Sequence, residues 1–205
     1  MSRRARIIVS VAVVAMIGAA AGALAWRLLP PSRATTAGLQ RAILRYELAD
    51  AVSWPEGAYG RTLLTPAERD VLQARYEDAL RATATGSVLR RGLELRPWSF
   101  MQEQRASYPR MLTTGAGGRL VYYEFVRRTL SGDVVVRALV RRFNDKANWH
   151  FRTGRLKHLG RDWWPTGLVM EYRLTKTAAG WRICTVDSLP LQFDPRTGRL
   201  THGYP

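Results

Sequence analysis

Three histidines, one cysteine and a scatter of tyrosines and carboxylates are the side chains of this chain that could do chemistry. His150, His158 and His202 lack metal-ligand spacing, and no cluster of Asp or Glu accompanies them. They read as surface or loop histidines, so no metal site is expected. Cys184 is a lone thiol: it makes no internal disulfide, and apolar residues alternate around it, as around a small core residue. A nucleophilic role would want a histidine nearby, and the chain order names none. No Gly-x-Ser-x-Gly elbow is present. "TGAGGRL", Thr114 to Leu120, has glycines but lacks the Lys-Ser/Thr and the strand–loop–helix context of a phosphate loop, and reads as a flexible loop. The sequence therefore presents neither a catalytic set nor a cofactor motif. Tyr122, Tyr123, Glu124, Tyr172 and Asp187 are left. The tyrosines suit strand positions with one wet end. Glu124 has Arg137 as a cross-strand partner, and Asp187 ends a strand.

The elements that would position these residues are legible in part. Leu168, Met170, Tyr172 and Leu174 alternate with Val169, Glu171 and Arg173. After Thr177-Ala178-Ala179-Gly180, Trp181, Ile183 and Thr185 alternate with Arg182, Cys184 and Val186. This is a β-hairpin. Upstream, "RLVYYEFVRRTLSGDVVVRALVRRF" predicts two long strands joined through Ser131-Gly132-Asp133, with Val134, Val136, Ala138 and Val140 on the core face. "NWHFRTGRLKHLGRDWWPTG" predicts a further short strand and a loop. Thr65, Pro66 and Glu68 form a capping box at the start of a helix whose apolar face is Val71, Leu72, Tyr76, Ala79 and Leu80, with Gly86 at its C-cap. An earlier helix is expected over about 38–52. Residues 87–118 are less legible: "SVLRRGLELRP" suits a short strand, "WSFMQEQRA" a helical turn or two, and "TTGAGG" a loop. The tail after Pro190 reads as irregular, with "DPRTG" a turn.

The N-terminus sets the expected address. A basic tip precedes an uncharged stretch from Ile7 to Trp26 with no polar face. About twenty residues of helix span roughly 30 Å, the thickness of the bilayer's hydrocarbon. "ALA" at Ala23 to Ala25 fits a cleavage site. The length of the run, Trp26 as an interfacial anchor and Leu28-Leu29 beyond Arg27 favour an uncleaved signal anchor. Arg3, Arg4 and Arg6 then stay cytoplasmic and the rest is extracytoplasmic. Pro30-Pro31 stop the helix. Gly18 and Gly22 have the spacing that lets two membrane helices pack as a homodimer, although so Ala-rich a stretch gives that spacing by composition alone. The expected organisation is a tip and transmembrane anchor over 1–29, a linker over 30–36, an α+β domain over 37–190 and a tail over 191–205.

The chain has 205 residues, 46% of them hydrophobic and 23% charged, which excludes wholesale disorder. The net charge is +16, almost all from arginine. The preference for arginine over lysine fits genome composition or heat adaptation. The surplus itself sets a positive surface potential that would attract anionic lipid or DNA. The arginines are scattered rather than massed, which argues against a dedicated nucleic-acid groove.

Helices first, then antiparallel strands ending in "LVMEYRLTKTAAGWRICTVD", is an order that resembles the nuclear transport factor 2-like superfamily, also called SnoaL-like or cystatin-like. The resemblance covers about residues 36–190. It implies a curved antiparallel sheet wrapped around helices as a cone. Enzymatic members place an acid and a hydrogen-bonding Tyr or Asp inside that cone, which makes Tyr122, Tyr123, Tyr172 and Glu124 the candidate ligand pocket, with Asp187 a further candidate. With the anchor, the chain also resembles accessory subunits of type IV secretion systems and membrane-anchored proteins of actinobacterial lipid-uptake operons, which are largely assembly parts. That implies a non-catalytic envelope subunit with protein partners. The alternative is a binder of a small hydrophobic molecule or an isomerase- or cyclase-like enzyme. Trp149, Phe151, Trp163 and Trp164 are the expected interaction surface, or else a plug in the open end of the cone.

Overall fold

In a computed structural model the described residues are 3–164, 168–194 and 197–202, with side chains described from 15 to 201 outside those gaps. The chain is α+β, as expected. Helix α1 (Arg3–Leu28) leads into α2 (Arg33–Glu47). Ser32 caps α2 by accepting a hydrogen bond from the Thr35 N–H at 3.3 Å. The linker expected over 30–36 is therefore mostly helix. Among the described residues no helix is long and apolar enough to cross a membrane. Of the uncharged stretch from Ile7 to Trp26 on which the expectation of a span rests, Ile7 to Val14 have side chains outside the described set.

Helix α3 (Pro66–Thr83) starts at the predicted capping box, with both reciprocal hydrogen bonds between Thr65 and Glu68 present. It buries Leu72, Tyr76 and Leu80, but Val71 lies exposed. Gly86 does not close this helix. It opens α4 (Gly86–Leu93) with φ +61°, after Ala84 has bridged to Ile183 and the Thr85 N–H has donated to the Ile183 carbonyl at 2.9 Å. The stretch 87–97, expected to hold a short strand, is thus helix as far as Leu93. It packs so closely on α3 that a Cβ on Gly92 would meet Leu80 Cδ1 at 2.6 Å. Helix α5 (Pro97–Ser107) follows.

The sheet is antiparallel, curved and not closed, in the order β1-β2-β4-β5-β6 with β3 on β2. Its strands are β1 (Met111–Arg128), β2 (Val134–His150), β3 (Arg155–Trp163), β4 (Leu168–Thr177), β5 (Gly180–Asp194) and β6 (Arg199–His202). β2 is the spine. Val134–Asn148 pair with β1, and the other edge is divided: Val134–Ala138 pair with β4 and Phe143–His150 with β3. Between these two ladders the Trp164 N–H donates to the Arg142 carbonyl at 3.0 Å.

Two expectations of irregular chain are corrected here. "TTGAGG" is strand, because its glycines make room for side chains across the ladder. A Cβ on Gly117 would stand 2.8 Å from Phe143 Cζ, and one on Gly118 2.8 Å from the Arg141 carbonyl oxygen. The tail is also ordered into strand: β5 runs past Pro190 to Asp194 and pairs with β6. Thr197-Gly198 turn between them, while Pro195 and Arg196 of the expected turn lie outside the described residues, as do Pro165 to Gly167.

Two packed clusters lie along β2. At its start Val134, Val136, Ala138 and Val140 pack with Leu39, Ala42 and Ile43 of α2 and with Tyr172, Leu174 and Ile183. Toward its end, Leu112, Leu72, Met101, Trp54, Ala58 and Leu64 form the second, with Trp149 against it. Arg105, only 1% exposed, is fastened there without a carboxylate from among the described residues. Its guanidinium donates to the carbonyls of Tyr59 (2.7 Å), Met111 (3.1 Å) and Arg61 (3.3 Å), beneath the Trp54 ring.

The close approach at Gly118 gives a test of the register. Gly118→Ala should destabilise the chain by about 1–3 kcal/mol, since the neighbour is backbone and cannot swing away. Gly57→Ala, with open space around it, should stay within about 0.5 kcal/mol of the parent. Denaturant titration followed by tryptophan fluorescence in detergent compares the two.

Candidate functional site

The described hollows differ in what their charged groups are doing. The largest, about 630 Å³, is lined by Glu56, Tyr59, His158 and the Asp145–Arg161 ion pair. Asp145 there is held below the usual carboxylate range, first by its hydrogen bonds from Arg161. Such a pair is solvated and self-satisfied. Between α2 and the sheet the situation is different. Glu47 ends α2 and walls two adjoining cavities, of about 380 Å³ and 230 Å³. The larger is completed by Tyr46, Tyr76, Leu80, Val88 and Leu95, the smaller by Leu139, Met170, Tyr172 and Trp164.

Helical periodicity puts Glu47 there. Leu39 and Ile43 are the buried stripe of α2, and Glu47 is the next residue on that stripe. The Tyr172 hydroxyl, on a side chain with 0% exposure, donates to Glu47 Oε1 at 2.8 Å. Arg142 of β2 also acts on it, but Arg142 is already paired with Asp50 just beyond α2. Burial pushes the Glu47 carboxyl above its ordinary value. The Tyr172 hydrogen bond and the Arg142 charge oppose that shift, and Asp50 adds to it. Tyr172 is pushed up as well, by burial first and then by Glu47. Tyr76 is pushed up to about 12, mainly by burial, and its hydroxyl donates to the Gly92 carbonyl at 2.7 Å. The arrangement is a carboxyl pushed toward its protonated form, one fixed phenol and two recesses with mixed walls, to which Asp50, Arg91, Arg141 and Arg142 add charge.

The structure does not bring the four predicted pocket residues together. Tyr172 alone belongs to this cleft. Tyr122 donates to Glu124 at 2.8 Å and packs on Phe193, with its phenol pushed up to about 12 by burial and then by Glu124. Glu124 faces Arg137 at 3.8 Å, which also binds Glu171 at 3.2 Å. On β4, Glu171 alternates with Tyr172, so this Arg137 cluster and the cleft lie on opposite faces of the sheet. Tyr123 packs against the α2 core with a buried hydroxyl that has no partner among the described residues, and burial pushes it to about 12. Asp187 pairs in register with Glu171.

The four aromatic residues split into two pairs. Trp149 tilts against Tyr59, and Phe151, 50% exposed, lies near Arg105. Trp163 tilts against Phe143 and is flanked by Arg119 and Arg141, while Trp164 sits by Arg142 and walls the smaller cavity. Trp164 narrows that recess without filling it. Of the histidines, His150 ends β2, His158 lines the 630 Å³ hollow, and the His202 side chain is outside the described set. Cys184 is half-buried, donates to the Arg173 carbonyl at 3.2 Å, and has its thiol pushed up by burial. Sequence reasoning missed Glu47, Asp50, Arg142, Tyr46 and Tyr76. The available signal was an acid at i+4 from Ile43, continuing an apolar stripe.

No family model matches the chain, and no curated protein matches it. Among solved structures it is similar to the intermembrane-space region of the chloroplast protein ARC6, at 15% identity, over 78% of this chain and 98% of that one, with a TM-score of 0.36. That likeness assigns neither family nor function.

A raised carboxyl has a defined pH signature. Glu47 keeps its proton longer in the folded chain than in the unfolded one, so its contribution to stability is complete below its unfolded pKa. It is lost as pH rises through the folded value. Glu47→Gln should flatten the fall in stability on the alkaline side of the ordinary carboxylate range. Tyr172→Phe should cost about 1–3 kcal/mol and deepen that fall, because it removes the bond that stabilises the ionised carboxyl. Denaturation midpoints across pH 4–8 read both.

Proposed function

We propose that the chain is a membrane-tethered, extracytoplasmic accessory domain of the nuclear transport factor 2-like type. Residues 7–29 hold it in the bilayer, and its body docks other envelope proteins rather than catalysing a reaction. The observation that carries this reading is the joint between α1 and the sheet. Arg27 Nε donates to the Arg128 carbonyl at 3.2 Å, and the Arg128 guanidinium lies over the Trp26 ring at 5.4 Å to its centroid. A tether that ends in free chain leaves its cargo randomly oriented; a tether joined to the sheet in this way supports a fixed orientation of the body. Phe100, Phe151 and Trp164 are exposed away from the joint and offer apolar contact area to a partner. Glu47, partly withdrawn from water at the end of α2, is engaged by Tyr172, a structural use of that carboxyl.

A second reading is favoured by the two recesses at Glu47: a cleft for a small hydrophobic molecule with one hydrogen-bonding group. Both readings have direct tests. The full chain should stay in the membrane fraction through an alkaline carbonate wash, its body should be digested by protease added to spheroplasts, and detergent extracts should yield a stoichiometric protein partner. Recovery from the soluble cytosolic fraction would overturn the tether. Native mass spectrometry should find no co-purified small molecule. A bound mass of a few hundred daltons that Val88→Trp abolishes would replace the docking reading by the ligand one.

A further inference from the structure

The hairpin between β1 and β2 lies at the same end of the body as the exit of α1, and so does the hairpin between β4 and β5. The first follows from the Arg27–Arg128 joint. The second follows from register, since Val134 pairs with Leu174, with only Thr175, Lys176 and Thr177 between it and the turn at Ala178-Ala179. Trp181, just after that turn, packs against Gly38 of α2, where a Cβ would come within 3.1 Å of its ring. Two sheet tips, the end of α1 and the start of α2 thus make one end of the molecule.

That end has the composition of a membrane-facing surface. Leu130, at the tip of the first hairpin, is 84% exposed, the most exposed of the large apolar side chains among the described residues. It is not carried on loose chain. The Thr129 N–H donates to the Asp133 carbonyl at 2.8 Å, the Gly132 N–H donates to the Thr129 carbonyl at 3.0 Å, and Gly132 supplies the positive φ of +86°. Asp133, the acid of this hairpin, is neutralised by Arg173 and by the Ser131 hydroxyl. The surrounding cations are not: Arg27, Arg33, Arg127, Arg128, Lys176 and Arg182 form no salt bridge among the described residues. Arg128 Nε and Arg182 Nε are buried atoms with no hydrogen-bond partner. A stiff apolar tip ringed by cations that have no counter-charge among the described residues matches a bilayer interface of anionic headgroups over acyl chain, in charge and in order of polarity.

We propose that this end is a seat on the bilayer: Leu130 enters the interface beside Trp26, and the ring of cations binds the phosphates of anionic lipids. The proposal rests on the tethered reading above and adds to it a defined face, lipid class and orientation. Thr153, in the turn at the opposite end of β2, would point away from the membrane, with up to roughly 50 Å of strand between the two tips.

The full chain in a Cys184→Ser background, carrying an environment-sensitive fluorophore at Leu130→Cys or at Thr153→Cys, is reconstituted into phosphatidylcholine vesicles with and without phosphatidylglycerol. Spin-labelled lipids should quench the label at 130 several-fold more than that at 153. Phosphatidylglycerol should increase the difference, and Arg127→Gln with Lys176→Gln should remove that increase. Equal quenching at both positions, or indifference to phosphatidylglycerol, in vesicles that retain the chain would overturn the seat and leave the tether standing. A chain that fails to float with the vesicles would overturn the tether, and the seat with it.

Discussion

The burial of one strand face under one helix is the constraint from which the other features follow. Val134, Val136, Ala138 and Val140 of β2 alternate inward, and Leu39, Ala42 and Ile43 of α2 cover them. Burying an aliphatic side chain is worth about 1.5–3 kcal/mol, so this seam is the chief attraction holding helix to sheet. It also fixes register, because a slip of one residue would turn the stripe to the other face and bring Arg137 and Arg141 against α2. With β2 held in place, its two edges dictate the rest. β1 follows it as far as Asn148, and β4 and β3 divide the opposite edge between them.

The position of Glu47 is a consequence of the same seam. The apolar stripe of α2 continues for one turn beyond the tightly packed stretch, and the residue there is an acid. The helix cannot turn it outward without also turning Ile43. The cost of partial burial is offset by the Tyr172 hydroxyl and softened by Arg142, and the space left by imperfect packing around a polar group remains as two recesses. Arg105 is a parallel case in the second cluster, where a buried cation is satisfied by three carbonyls and not by a counter-charge among the described residues. Both groups tie chain segments far apart in sequence, α2 to β4 in one case and the 59–61 turn to β1 in the other.

What was legible in the sequence was whatever short-range periodicity or cap chemistry determines. The β4–β5 hairpin, the long β1–β2 pair, the capping box at Thr65 and the Glu124–Arg137 pairing all belong there. What was not legible depended on contacts across the fold. Gly115, Gly117 and Gly118 look like a loop until Phe143 and Asp145 are placed opposite them. Gly86 looks like a stop until Ala84 and Thr85 are seen clamped to Ile183, so that its positive φ starts a new helix. The tail beyond Pro190 looks irregular because its strand is stabilised by pairing with β6 and not by an alternating pattern. The site was half legible. Tyr172 was identified by type and strand position, but Glu47 needed its place on the α2 stripe to be weighed; Tyr122 and Glu124 were separated from it by the sheet, and Tyr123 packs in the α2 core without lining the cleft.

The functional account needs α1 and the sheet to move as one body, since only then does the end of α1 decide which face meets the bilayer. Contact at Arg27, Trp26 and Arg128 is the basis for that claim. The most direct measurement is a spin–spin distance between labels at Leu28→Cys and Arg127→Cys, in a Cys184→Ser background and with the full chain in lipid nanodiscs. A rigid joint predicts a single narrow population at short distance. A broad distribution reaching several nanometres would mean that the helix and the sheet are joined only by chain, and would contradict the account.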